Sequence, residues 1–106
     1  MSTDKSYLNF ILEQLSGVEN ISCRAMMGEY LLYAGGKLFG GIYDNRFLVK
    51  NLPAARAYMP QAREEIPYPG AKPMLLVDNV DNRDYLSGLL DALLPALPAT
   101  KKGGSL

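Results

Sequence analysis

The stretch 23–50 most limits what this chain can fold into, because it alternates large apolar residues with polar ones and is interrupted by paired glycines. Alternation with a period of two is the pattern of β-strands, whose successive side chains point to opposite faces. Gly35 and Gly36 are adjacent, and adjacent glycines accept the positive φ angles that tight hairpins require. Asp44 and Asn45 mark a further turn. The stretch therefore predicts a meander of about four antiparallel strands.

Two features inside the meander give expectations about packing. Gly40 and Gly41 lie within a strand, where glycine costs stability unless a bulge or a close neighbour requires the missing side chain. The first strand is expected to bury one face, which carries Ile21, Cys23, Ala25 and Met27. Because no histidine is present to activate Cys23, we interpret it as a small buried residue.

Helical patterns flank the meander. Leu8, Ile11, Leu12 and Leu15 follow the spacing of one buried helix face, and Pro53 suits the first turn of a short helix over 53–59. Residues 74–77 form an apolar run that predicts a fifth strand. The last helix carries leucines at 86, 89, 90, 93, 94 and 97. The order α-β-β-β-β-α-β-α predicts a two-layer α+β fold, with helices packed on an antiparallel sheet of about five strands. We expect a single domain over 1–98, followed by a flexible tail over 99–106.

Composition limits the functional classes. The chain has 106 residues and equal numbers of basic and acidic residues, 11 of each, so its zero net charge argues against direct nucleic-acid binding. No apolar run approaches the roughly 20 residues of a membrane span, and no membrane association is expected. One cysteine fits a reducing compartment, which makes the cytoplasm the expected location.

Nothing in the sequence assembles the groups of a reaction centre. Histidine is absent, which removes the commonest general base and the commonest transition-metal ligand. The segment GGKLFGG matches neither the dinucleotide fingerprint nor the Walker pattern, and both of these need a following helix. We therefore predict a protein without catalytic activity, cofactor or metal.

Tyrosines and methionines are the candidate surface residues. Tyr30, Tyr33, Tyr43 and Tyr68 each carry a hydroxyl that must reach water or a partner, so they mark possible interfaces. Met26, Met27, Met59 and Met74 would suit an adaptable groove, but core packing is the favoured interpretation for them.

The segment RAMMGEYLLYAGGKLFGGIYDNRFLVK, with KPM at 72–74, resembles the N-terminal domain of the TfoX/Sxy regulators of bacterial competence. The matching residues are Arg24, Met26, Gly28, Tyr30, Tyr33, Gly36, Phe39, Gly40 or Gly41, Lys50, Tyr68, Lys72, Pro73 and Met74. The resemblance covers roughly the whole folded chain. It implies a small two-layer α+β domain with a role in gene regulation or protein interaction and no known catalysis.

Two functional hypotheses follow. The preferred one is a non-enzymatic interaction module that binds a protein, or its own copy, through a sheet edge or a tyrosine-rich surface. The alternative is an anion- or metabolite-binding protein in which Arg24, Lys50 and Lys72 converge, with Tyr30 or Tyr68, on a carboxylate or phosphate. A simpler interpretation is that each of the three cations pairs with a nearby acidic residue on the surface, and this interpretation is favoured over the ligand site.

The final helix also bears on assembly. Its leucines exceed one narrow stripe, and a domain of this size cannot easily cover both terminal helices with one sheet face. We therefore expect a homodimer.

Overall fold

The computed structural model describes residues 3–97, which form six strands and three α-helices. The predicted tail over 99–106 lies outside the described residues. The elements are α1 (Lys5–Gln14), β1 (Ile21–Met26), β2 (Glu29–Ala34), β3 (Lys37–Ile42), β4 (Phe47–Val49), α2 (Pro53–Tyr58), β5 (Glu64–Glu65), β6 (Met74–Leu76) and α3 (Arg83–Leu93), which ends in a 3-10 turn over Leu94–Ala96. The sheet is antiparallel with strand order β1-β2-β3-β4-β6-β5. This confirms the α+β class, and β5 is a short strand that the sequence analysis did not predict.

Three two-residue turns join the strands of the meander. Both residues of each turn have positive φ, as type I′ hairpin turns require: Met27 and Gly28, Gly35 and Gly36, and Asp44 and Asn45. This turn type matches the right-handed twist of the flanking strands, so each hairpin continues the sheet directly. The three turns therefore explain why β1 to β4 are neighbours in the order in which they occur.

The glycine pair inside β3 has two separate causes. The pairing of β2 with β3 shifts its register between Leu32 and Tyr33, which is the bulge that the glycines predicted. At the bulge, a Cβ added to Gly40 would overlap the Leu48 carbonyl oxygen of the neighbouring strand. A Cβ added to Gly41 would lie 2.6 Å from the carbonyl oxygen of Tyr30 and 2.7 Å from Cε2 of Tyr43, so this glycine makes room for both the neighbouring strand and a tyrosine ring.

The helices cover one face of the sheet, and the hydrophobic core lies between them and that face. Helices contribute Leu8, Ile11, Ala55, Leu86, Leu89, Leu90 and Leu93, and strands contribute Leu32, Ala34, Phe39, Ile42, Phe47, Val49 and Leu75. Asn82 caps α3, because its side chain accepts a hydrogen bond from the backbone N–H of Tyr85. Most of the leucines used to predict a homodimer are buried within one chain, which removes that reason for self-association. The oligomeric state stays a prediction.

The opposite face of the sheet, which we call the open face, is also partly apolar. Leu31 pairs with Gly41 and Gly41 pairs with Leu48, so these residues share a face, and it is not the face under the helices. Tyr43 and Leu48 are buried on this face although neither belongs to the core cluster beneath the helices. The sheet therefore has a second, smaller apolar region with no helix over it among residues 3–97.

The prediction that β1 buries one face is wrong. Cys23 lies directly opposite Leu32, on the side of the helices, yet Cys23 is exposed whereas Leu32 is fully buried. Ala25 is exposed as well, and Met27 belongs to the turn. The physical reason is position in the sheet: β1 is an edge strand, and no β1 residue belongs to the buried core cluster of the described chain.

Candidate functional site

The clearest candidate site is an apolar groove between the β1–β2 hairpin and the proline-rich loop that follows β5. Its volume is about 810 Å³. The groove is lined by Met26, Met27, Glu29, Asp44, Arg46, Ile66, Pro67, Tyr68 and Pro69. We call it the hairpin groove. Its apolar residues come from two segments far apart in sequence. Because β1 and β5 lie at opposite edges of the sheet, the loop after β5 reaches back from its own edge toward the β1–β2 hairpin.

Several apolar side chains of the hairpin groove are strongly exposed. Met27 is 95% exposed, Ile66 is 53% exposed and Tyr68 is 49% exposed. Met27 also has a φ of 53°, in the left-handed region that costs a residue with a side chain about 1–2 kcal/mol. An asparagine would suit that turn position better and would expose no apolar surface. Neither turn geometry nor core packing explains a methionine at this position.

Arg46 fixes the loop wall of the groove. Its Nη1 lies 2.8 Å from Oε1 of Glu65, and the two side chains are each 27% exposed. Its Nη2 donates to the carbonyl oxygens of Ile66 and Pro67, each at 3.3 Å, and its Nε donates to the carbonyl oxygen of Tyr43 at 3.1 Å. One side chain therefore ties the end of β3 to both β5 and the loop, so the groove is held open by a fixed set of bonds.

The acidic residues of the groove, Glu29 and Asp44, differ from Arg46 in having no cationic partner within residues 3–97. Glu29 Oε1 accepts hydrogen bonds from Thr3 Oγ1 at 2.6 Å and from the backbone N–H of Asp44 at 3.0 Å. Among residues 3–97, the ion pairs involve Glu65, Glu64 and Glu13 but neither acid of the groove. Because the charge of Arg46 is balanced by Glu65, the uncompensated charge at the groove is negative.

A tyrosine pair connects the groove to the open face. The rings of Tyr43 and Tyr68 have centroids 6.1 Å apart and a tilt of 54°, within the range of favourable aromatic contacts. Burial, and secondarily the neighbouring Tyr68, Glu29 and Tyr33, raises the pKa of the Tyr43 hydroxyl. This shift keeps Tyr43 neutral, and its cause is packing against the sheet, so it gives no indication of acid–base catalysis.

The site residues predicted from sequence do not all lie together. Tyr68 lines the hairpin groove, whereas Tyr30 packs against the core cluster on the side of the helices. Arg24 is exposed in the edge strand β1, and Lys50 directly follows β4, three strand spacings away or about 14 Å across the sheet. Lys72 is exposed in the loop before β6. This strand order offers no support for a shared anion site, and the role of the three cations stays a prediction.

The described residues contain no other constellation that suggests chemistry. Within residues 3–97, no three His, Cys, Asp or Glu side chains are grouped so that they could hold a metal ion. In the same part of the chain, every helix is too short or too polar to cross a membrane.

Comparison with known proteins agrees with the resemblance seen in the sequence. The model of the TfoX N-terminal domain matches residues 13–87. The chain belongs to the TfoX N-terminal domain family. It is also 36% identical over 102 residues to an uncharacterized 12.7 kDa protein in the trpE 5′ region of Spirochaeta aurantia, covering 95% of this chain and 89% of that protein. No solved structure gives a significant match. Membership in this family supports a regulatory-type domain.

Proposed function

We propose that this chain is a non-enzymatic regulatory module that acts by binding a protein partner in the hairpin groove. The observation that carries the proposal is Met27, which is 95% exposed at a turn position unfavourable for methionine. This large apolar side chain does not pack in the core, and its backbone conformation is unfavourable. Such a residue is expected at a surface that another molecule covers. Family membership supports the regulatory part of the proposal.

The lining of the groove favours a particular kind of partner. Methionine, isoleucine and tyrosine side chains offer adaptable apolar contacts, which suits an apolar side chain of an incoming segment. The uncompensated charge of Glu29 and Asp44 favours a lysine or arginine next to that residue. The expected ligand is therefore a protein segment with an apolar anchor flanked by a basic residue.

The test is selection of binding peptides from a phage-displayed library of random peptides on the immobilised chain. The proposal expects enrichment of peptides that combine an apolar anchor with a neighbouring Lys or Arg. Their affinity is then measured by isothermal titration against the parent chain and against Met27→Asn. Removal of one buried methionine contact is worth about 1.5–3 kcal/mol, so binding should weaken by about tenfold or more.

The Met27→Asn variant separates binding from folding, because asparagine is favoured in the left-handed turn position and the variant should be at least as stable as the parent. Phe10→Ser is the matched control, since Phe10 is 39% exposed on α1 and does not line the groove. Selected peptides should bind this control as they bind the parent. Equal binding to Met27→Asn, or selection of peptides without the expected pattern, would refute the proposal.

A further inference from the structure

The two edges of the sheet are protected to very different degrees. The β5 edge has only two residues, Glu64 and Glu65, and each is ion-paired, to Arg56 and Arg46 respectively. Short, charged strands of this kind resist pairing with another chain. The β1 edge has six residues, no proline, no bulge and a single charge, that of Arg24. Its four central residues, 22–25, are exposed. One edge is therefore blocked, whereas the other retains the features of a pairing surface.

The hairpin turn determines which backbone groups of β1 point outward. Met26 and Glu29 flank the two-residue turn, so they form a hydrogen-bonded pair, and the bonding alternates along the strand from that point. Residues 26, 24 and 22 thus bond to β2. The N–H and C=O groups of Ile21, Cys23 and Ala25 face away from it, and no strand among residues 3–97 pairs with them.

We propose that β1 pairs with β1 of a second copy of this chain, in antiparallel orientation about a two-fold axis at Cys23. In this register Cys23 lies opposite its own copy, and Ile21 of each chain lies opposite Ala25 of the other. All the outward-facing groups of both strands are then used, which gives about six intermolecular hydrogen bonds. The two sheets become one continuous sheet. This inference rests on the edge strand alone and not on the hairpin groove.

Arg24 selects this register over its neighbour. A shift of the second copy by two residues toward the hairpin would keep the same face pattern but would place Arg24 directly opposite Arg24, at the close spacing of a pair that is not hydrogen-bonded. A shift by two residues in the other direction would place Ala25 opposite Glu19, outside β1, and would lose two of the roughly six hydrogen bonds between the strands. Like charges at that spacing oppose pairing. In the proposed register Arg24 instead lies opposite Ser22, to which it can donate a hydrogen bond. The single charge of β1 therefore opposes the competing alignment and leaves the proposed one unhindered.

The expected affinity is modest. An interface made mainly by one strand edge is smaller than the standard size of stable complexes, so the dimer should dissociate in the micromolar range. Sedimentation equilibrium in reducing buffer, over a wide range of protein concentration, should show a reversible monomer–dimer exchange. A monomer throughout that range would overturn the proposal.

Edge variants test the strand directly. Ala25→Pro removes an outward N–H that β2 does not use, so it should abolish the dimer and leave the chain folded by circular dichroism. Ala25→Ser keeps the N–H and should dimerise as the parent does. Cys23→Lys provides a second test that does not depend on proline, because it places two ammonium groups opposite each other. A dimer retained in Cys23→Lys, or in folded Ala25→Pro, would refute the pairing.

The register is tested by disulfide formation between two different variants. Cys23 is the chain's single cysteine, so Cys23→Ser removes all background thiol. One variant then carries Ser22→Cys with Cys23→Ser, and the other carries Arg24→Cys with Cys23→Ser. Positions 22 and 24 face each other at a spacing that suits a disulfide only in the proposed register. Mild oxidation of the mixture should favour the mixed dimer over both like dimers, whereas a statistical mixture of the three would refute the register.

Discussion

Arg46→Ala is the substitution that most directly tests how the hairpin groove is held. The change removes an ion pair whose partners are each 27% exposed, worth about 1 kcal/mol at that exposure. It also leaves the carbonyl oxygen of Pro67, a buried residue, without the donor seen in the structure, at a cost of about 1–2 kcal/mol. The free energy of unfolding should therefore fall by about 2–3 kcal/mol. For a chain of this size that corresponds to a decrease in Tm of about 10 °C.

Arg56→Ala is the matched control, because Arg56 makes the equivalent pair with Glu64 on the same short strand, with exposed fractions of 40% and 49%, and has only one bond to a backbone carbonyl, that of Ala62 at 3.4 Å, among the described residues. An exposed pair of this kind contributes at most about 1 kcal/mol. Urea unfolding followed by circular dichroism would compare the two midpoints at constant m-value. Equal destabilisation by the two substitutions would show that the bonds from Arg46 to the loop contribute nothing to the free energy of unfolding. The description of Arg46 as the residue that fixes the groove wall would then be wrong.

Three further outcomes are expected. Phe39 is fully buried in the core, so Phe39→Ala should lower the free energy of unfolding by about 3–5 kcal/mol. Tyr30→Ala should lower it by less, because Tyr30 is only partly buried. Equal losses, measured by denaturant unfolding, would contradict the assigned packing. Met27→Asn should raise the unfolding free energy by about 1 kcal/mol, since it relaxes a left-handed residue that is 95% exposed, and a destabilised variant would contradict the turn assignment. Burial and the hydrogen bond to Asp78 raise the pKa of Tyr85 to about 12, above the value near 10 of an unfolded tyrosine. The stabilisation from the neutral Tyr85 hydroxyl is therefore present below about pH 10 and is lost as the pH rises toward about 12. Subtracting the stability curve of Tyr85→Phe from that of the parent should show this loss, and parallel curves would exclude it.

Local patterns predicted much of the fold because short-range physics determines those parts. The Gly35–Gly36 pair and the Asp44–Asn45 step indicated hairpin turns, and all four residues adopt positive φ in the structure. Leucines at helical spacing in the last helix indicated the core, and Leu86, Leu89 and Leu90 are fully buried. The family match confirmed the resemblance seen in the sequence, and the structure confirmed the α+β architecture that the resemblance implied.

Predictions that depend on long-range arrangement were less successful. A period of two shows that β1 has two faces, but it does not show whether a neighbour covers either face, and Cys23 is exposed because β1 lies at the edge. The strand β5 has only two residues, Glu64 and Glu65, and is too short for any pattern. The groove was not predicted as a unit because its loop wall is fixed by Arg46, whose partners Glu65 and Ile66 are 19 and 20 residues away in sequence. One local signal was available: Met27 precedes Gly28 at the point where alternation breaks, which is typical of a two-residue turn.

The two proposed surfaces meet at the β1–β2 hairpin, and this predicts coupling between them. With Ile21 of a second copy opposite Ala25, the segment before that Ile21, including Glu19, adjoins the hairpin tip of the first chain. A further carboxylate would then lie near a groove whose uncompensated charge is already negative. Peptides with a basic residue should therefore bind more tightly at protein concentrations above the dimer dissociation constant than below it, and by linkage they should strengthen dimerisation by the same factor. Sedimentation with and without peptide measures the second effect, and Glu19→Gln should reduce both effects together. If peptide affinity is the same for monomer and dimer, the two surfaces act independently and the second copy does not contribute to the groove.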